Sequence, residues 1–109
     1  MIIYKVFIYG KSLKPNVQLG LFGESIIELF KARLTGWVLI EDKEKPYILP
    51  SEGKTVEGII VSLTPEQLKK ADLWKEVPGL YRRERVTIRG ADGNFYNVWT
   101  YTRHKPAQT

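Results

Sequence analysis

Residues 2–9 (Ile-Ile-Tyr-Lys-Val-Phe-Ile-Tyr) are almost continuously apolar, β-branched or aromatic, and they stop at Gly10. Both faces of a strand built from them are largely apolar, which predicts a central strand covered on either side. The strand runs directly into Tyr9-Gly10 and then a polar turn, Lys11-Ser12-Leu13-Lys14, ending at Pro15. Glycine lets the backbone adopt positive φ and come close to a ligand. The amides that follow can form a small nest for a carboxylate or phosphate. Functional groups often sit where a rigid strand gives way to a loop.

The rest of the chain reads as alternating short elements. Pro15 to Phe22 is a helical segment closed by Gly23, with Val17 and Leu21 at i, i+4 spacing. Residues 26–41 admit two readings: Ile26, Ile27, Leu29 and Phe30 suit a helix, while Gly36-Trp37-Val38-Leu39-Ile40 favours a strand. A charged loop at Asp42–Lys45 precedes a short extended piece, Tyr47-Ile48-Leu49, bracketed by Pro46 and Pro50. Ser51–Lys54 reads as a turn and Thr55–Ser62 as a further strand. Thr64-Pro65-Glu66-Gln67 has a capping threonine, proline at the first helical position and a glutamine able to complete a capping box. That helix is expected to reach about Trp74, stop at Pro78-Gly79, and turn Leu68, Ala71 and Leu73 to a core. From Tyr81 to Arg89, Glu84, Val86 and Ile88 lie on one strand face, and Arg83, Arg85, Thr87 and Arg89 on the other. Gly90–Gly93 is a hairpin turn, Asn94–Thr102 its returning strand, and about 103–109 a frayed tail. The order predicts one α+β domain over residues 1–109, a small mixed, mostly antiparallel β-barrel with two flanking helices.

Composition narrows the chemistry. With 109 residues, 43% hydrophobic and 27% charged, the chain fits a single globular domain. Without cysteine there are no disulfides or thiolate metal sites. The N-terminus lacks signal-peptide character and no run is long enough to span a membrane, so a cytoplasmic protein without a membrane partner is expected. The formal charge of +5 would suit nucleic acid or a small anion. Apart from Arg82-Arg83-Glu84-Arg85 the basic residues are scattered, which favours plain solvation. The one histidine, His104, lies in the tail and gives no basis for a metal site; no cofactor is expected.

Four segments, taken in order, resemble the γ-glutamylcyclotransferase-like (AIG2-like) family: VFIYGKSLKPNVQLGLFG at 6–23, ARLTGW at 32–37, KPYILPSEGKTVEGIIVSLTPEQLKKAD at 45–72, and VPGLYRRERVTI at 77–88. The resemblance implies a small β-barrel with a cavity at its mouth. There the backbone amides of the Tyr-Gly turn hold a γ-glutamyl group, and a glutamate just after the second helix serves as general acid and base. The implied reaction is intramolecular, giving 5-oxoproline and a free amine. By this resemblance the substrate-binding residues are Tyr9, Gly10, Lys11, Ser12 and Leu13, with Tyr81 and Arg83 matching the family's Y-x-R strand.

Two departures fall on the chemistry. The turn carries Lys11 where the family has Ser or Thr; alternatively Lys11 is an insertion and Ser12-Leu13 matches the motif. Counting three residues on from Asp72, or six back from Tyr81, reaches Lys75 where the family has its glutamate. Glu76 follows it and is the remaining catalytic candidate. On a continuing helix one residue turns a side chain by about 100°, so Glu76 reaches the site only if the helix has ended. Tyr81 also suits a strand anchor, and Arg83 an ion-pair partner of Glu84 or Asp72. Asp72 most simply braces its helix, Trp37 and Trp74 suit core or rim, and Trp99 and Tyr101 are expected to fill the barrel. Three functions follow: a cyclotransferase, degenerate if Lys75 has displaced its acid/base; a small-anion binding module on the same fold; and a basic barrel for nucleic acid, the least expected.

Overall fold

The computed structural model describes residues 2–23, 26–41, 46–75, 77, 79 and 81–103, with backbone alone for Lys11, Ser12, residues 15–17 and Leu21. Five strands close into a barrel: β1 (Tyr4–Ile8), β2 (Ile27–Ile40), β3 (Tyr47–Leu63), β4 (Arg82–Gly90) and β5 (Phe95–Thr102). Their order around the barrel is β1-β3-β2-β4-β5. All neighbours are antiparallel except β1 and β5, whose parallel pairing of Val6 with Trp99 and Phe7 with Thr100 closes the ring. Two helices, α1 (Pro15–Phe22) and α2 (Pro65–Trp74), interrupt the strand sequence. The Lys70 ammonium on α2 donates to the Phe22 carbonyl at the end of α1 at 3.1 Å.

The apolar character of both β1 faces is explained by two cores. Phe7 points into the barrel with Leu34, Ile48, Val56, Ile60, Ile88 and Val98. Val6 and Ile8 point outward and are covered by Phe22, Leu68 and Ala71 from the helices, together with Val61, Leu63, Tyr81 and Tyr101. At Gly58 β3 runs hard against its neighbour β1: a Cβ there would lie 2.2 Å from the Ile8 carbonyl oxygen and 2.8 Å from the Phe7 ring.

Several local expectations need correction. Residues 27–40 form one strand, because β3 pairs with it from Ile27 opposite Ser62 to Ile40 opposite Tyr47, overriding the helical option. Tyr47–Leu49 and Thr55–Ser62 belong to the same strand, and Ser51–Lys54 do not reverse the chain. They form a bulge, where the register on β3 jumps from Pro50 to Thr55 while β2 advances only from Trp37 to Thr35. Leu73 is 70% exposed, because the buried face of α2 runs through Gln67, Leu68 and Ala71. Arg103 is not frayed: its amide donates to the Ile48 carbonyl at 3.2 Å. Residues 104–109, including His104, lie outside the described residues, as do the 42–45 loop and Pro78.

Other expectations hold. Gly23, at φ 73°, ends α1. The Gln67 amide donates to Thr64 Oγ1 at 3.2 Å, and the Thr64 amide donates to Gln67 Oε1 at 3.0 Å, completing the capping box at the start of α2.

Candidate functional site

Tyr9 follows β1 and points into the barrel end, 2% exposed. Gly10 then turns the chain at φ 63° into a four-residue 3-10 turn, Gly10–Leu13. Glycine is required twice over. That φ strains any residue with a Cβ, and a Cβ would lie 2.7 Å from Pro46 Cγ. Pro46, just before β3, thereby packs directly on the turn.

Lys75 reaches the same place from the opposite direction. It is the residue on which α2 ends, its amide still bonded to the Ala71 carbonyl at 3.0 Å. The side chain is 3% exposed, and Nζ donates to the Pro46 carbonyl at 3.1 Å. Around Nζ stand the rings of Tyr81, Tyr9 and Trp74, with centroids at 4.5, 4.9 and 5.0 Å. Ring faces and a carbonyl oxygen are partners for a cation and offset the cost of burying one. The Tyr81 hydroxyl donates to the same Pro46 oxygen at 3.2 Å. The turn after β1 and the end of α2 therefore meet on Pro46.

A second set of polar contacts supports the first. The Tyr9 hydroxyl donates to the Tyr101 carbonyl at 2.6 Å, and the Tyr101 hydroxyl donates to Asp72 Oδ1 at 2.7 Å. Arg83 Nη1 lies 3.1 Å from Asp72 Oδ2, a charge contact without hydrogen-bond alignment. The Arg83 guanidinium also covers the Trp99 ring at 5.1 Å. Burial holds the Tyr9 hydroxyl far above its ordinary value of 10.0, reinforced by nearby Tyr81 and opposed by a backbone bond from Ile48. Tyr101 is raised as far, by burial first and then by its bond to Asp72. Both phenols are therefore donors, not bases, near neutral pH.

Between these groups lies a hollow of about 20 Å³, bounded in part by Tyr9, Gln18, Ala71, Trp74, Lys75 and Tyr101. That is room for roughly one water, so any larger guest requires side chains to move. No three His, Cys, Asp or Glu among the described residues are grouped to hold a metal, and no described helix is long and apolar enough to cross a membrane.

Of the residues singled out in the sequence, Gly10, Lys75 and Tyr81 converge on Pro46, and the Tyr9 ring lies against Lys75 Nζ. Arg83 is tied to them through Asp72 and Tyr101. Leu13 is half-buried against the helix-covered core. Lys11 and Ser12 lie in the 3-10 turn by their backbone, and Glu76 lies outside the described residues. The reading of the sequence missed the Pro46 carbonyl, buried Gln18, the polar role of Tyr101, and Arg103. The Arg103 guanidinium covers the rings of Tyr47 at 4.2 Å and Tyr81 at 5.7 Å. Only Tyr101 carried a signal, its alternation with Trp99 along β5.

The gamma-glutamyl cyclotransferase, AIG2-like family model matches residues 6–109. The chain belongs to this family. A Methanocaldococcus jannaschii protein named as a gamma-glutamylcyclotransferase and, provisionally, an RNase is 29% identical over 103 residues, 92% of this chain. The γ-glutamylcyclotransferase-like chain spans 46% of the length of that relative. An Arabidopsis thaliana protein solved in solution superposes with a TM-score of 0.83 at 26% identity, covering 99% of this chain and 73% of its own. A mouse AIG2-like protein superposes at 0.78 and 20% identity, over 98% of this chain and 81% of its own, a likeness of fold.

Proposed function

We propose that this chain takes a small γ-glutamyl compound between the turn after β1 and the end of α2, and that its cyclisation there is degenerate. The observation that carries the reading is Lys75, buried against Tyr9, Tyr81 and Pro46 at the position where the family resemblance expects a glutamate.

In the expected reaction, the α-amine of the γ-glutamyl group attacks its own γ-carbonyl. The lactam C–N bond forms, the original amide C–N bond breaks, and the departing amine takes up a proton. Tethering supplies much of the acceleration, since nucleophile and carbonyl belong to one molecule. What the protein must add is proton traffic: removal from the α-ammonium and delivery to the leaving amine, work suited to a partly buried carboxylate. Lys75 as an ammonium offers donors only. In that form it can hold a carboxylate or steady a carbonyl oxygen but takes up no proton. The amides of the Gly10–Leu13 turn would hold the other end of the ligand. Binding is thus retained while the proton-transfer half of the reaction is impaired.

Ligand-observed NMR with a panel of γ-glutamyl amines and 5-oxoproline tests the binding half. Wild type is expected to bind at least one of them, and Lys75→Met to weaken that binding by roughly tenfold, the loss of one charge-assisted contact. Absence of binding across the panel, or full affinity in Lys75→Met, contradicts the reading. So does brisk turnover by wild type that Glu76→Gln abolishes, since the neighbouring carboxylate would then carry the proton.

A further inference from the structure

The basic residues that look scattered along the chain are gathered by the β2–β4 pairing. Arg33 on β2 stands directly opposite Arg89 on β4. Like charges in register repel, which costs stability when nothing lies between them. Both line an open trough of about 1030 Å³ across β2, β3 and β4, together with Lys31, and Leu13 borders it. Tyr9, Lys75 and Tyr81 are not part of it. Among the described residues one acidic side chain, Glu57, lines the trough; it is 3.7 Å from Arg33, both side chains being more than 70% exposed, so the pair is weak.

The same outer surface continues along the β4–β5 hairpin. Arg85 is paired with Trp99 and Arg89 with Phe95. Arg85 lies against the Trp99 ring at 5.2 Å, and Arg83, already committed to Asp72, lies against it at 5.1 Å. Phe95 is 70% exposed, a large aromatic face in water beside a guanidinium. Cations in a groove beside an open aromatic platform form the arrangement that binds single strands, the cations following phosphates and the ring taking a base. A duplex keeps its bases stacked and offers nothing to Phe95. An acidic peptide would satisfy the arginines without using the ring.

We propose that the trough and the outer face of β4–β5 bind single-stranded nucleic acid, with Lys31, Arg33, Arg85 and Arg89 along the phosphates and Phe95 under a base. The site touches the γ-glutamyl turn at Leu13 but includes none of Tyr9, Lys75 or Tyr81. Fluorescence anisotropy of labelled twelve-nucleotide oligo(U) and oligo(dT) tests it, beside a duplex of equal length, poly-glutamate and vesicles containing phosphatidylserine. Four phosphate contacts predict a log–log salt slope of about −3 for the single strands. Arg33→Glu with Arg89→Glu should flatten the slope to about −1.4 and weaken binding more than tenfold. Phe95→Ala should weaken it roughly fivefold or more without changing the slope. No single-strand binding, equal binding of duplex, poly-glutamate or vesicles, or indifference to Phe95→Ala overturns the proposal. All three positions are exposed, and thermal melting checks that each variant remains folded.

Discussion

Two buried phenols illustrate how single side chains set the behaviour of the site. In the folded chain Tyr9 and Tyr101 resist ionisation far beyond their ordinary 10.0, while in the unfolded chain they return to it. The folded state then holds more protons than the unfolded state above about pH 10, so stability falls as pH rises through that value. Their contribution is fully present below it. Urea midpoints measured from pH 9 to 11.5 should decline, and the decline should be shallower in Tyr101→Phe. At neutral pH that variant also loses the hydroxyl bonded to Asp72, with an expected cost of about 1.5–3 kcal/mol for a hydrogen bond to a charged group. Residue identity at the site was partly legible in the sequence. Tyr9, Gly10, Lys75 and Tyr81 are marked by the family resemblance, but Pro46 acts through its carbonyl, and backbone groups leave no trace in residue type. Arg103 escaped notice because a residue near a chain end reads as tail until a strand gives its amide an acceptor.

Among the elements, α2 was the most readable, because its start signal is local. Thr64 and Gln67 need only each other to satisfy two orphan amides. Thr64→Ala should cost about 1 kcal/mol, seen as a fall in Tm of roughly 4–8 °C for a domain near this size. The β2–β3 hairpin was the least readable, because its strands are long, irregular and defined by each other. The turn residues at 51–54 serve a bulge, and the pattern at 26–30 is strand only because β3 lies beside it. At the junction of elements, Gly10→Ala should destabilise the chain by more than the ~1 kcal/mol of a simple glycine replacement, since both φ and Pro46 oppose it. It should also weaken γ-glutamyl binding, because Pro46 carries the acceptor shared by Lys75 and Tyr81. Circular dichroism melts and the NMR titration check the two effects separately.

At the scale of the whole molecule, a five-strand barrel with helices over one side places the β1 turn and the end of α2 on a common proline. The both-faced burial of β1 is evident from the residues alone, and so is the element order outside the β2–β3 hairpin. Which strands would neighbour one another was not, and the convergence of Arg33 and Arg89 depended on it. We propose that this frame keeps a γ-glutamyl site but has a buried lysine where proton transfer needs a carboxylate. Formation of 5-oxoproline from a panel of γ-glutamyl amines, followed by mass spectrometry for wild type and Lys75→Glu, tests it most directly. A slow or absent reaction in wild type that rises at least tenfold in a folded Lys75→Glu protein is predicted. Efficient wild-type turnover, or no gain in the folded variant across the panel, would contradict it.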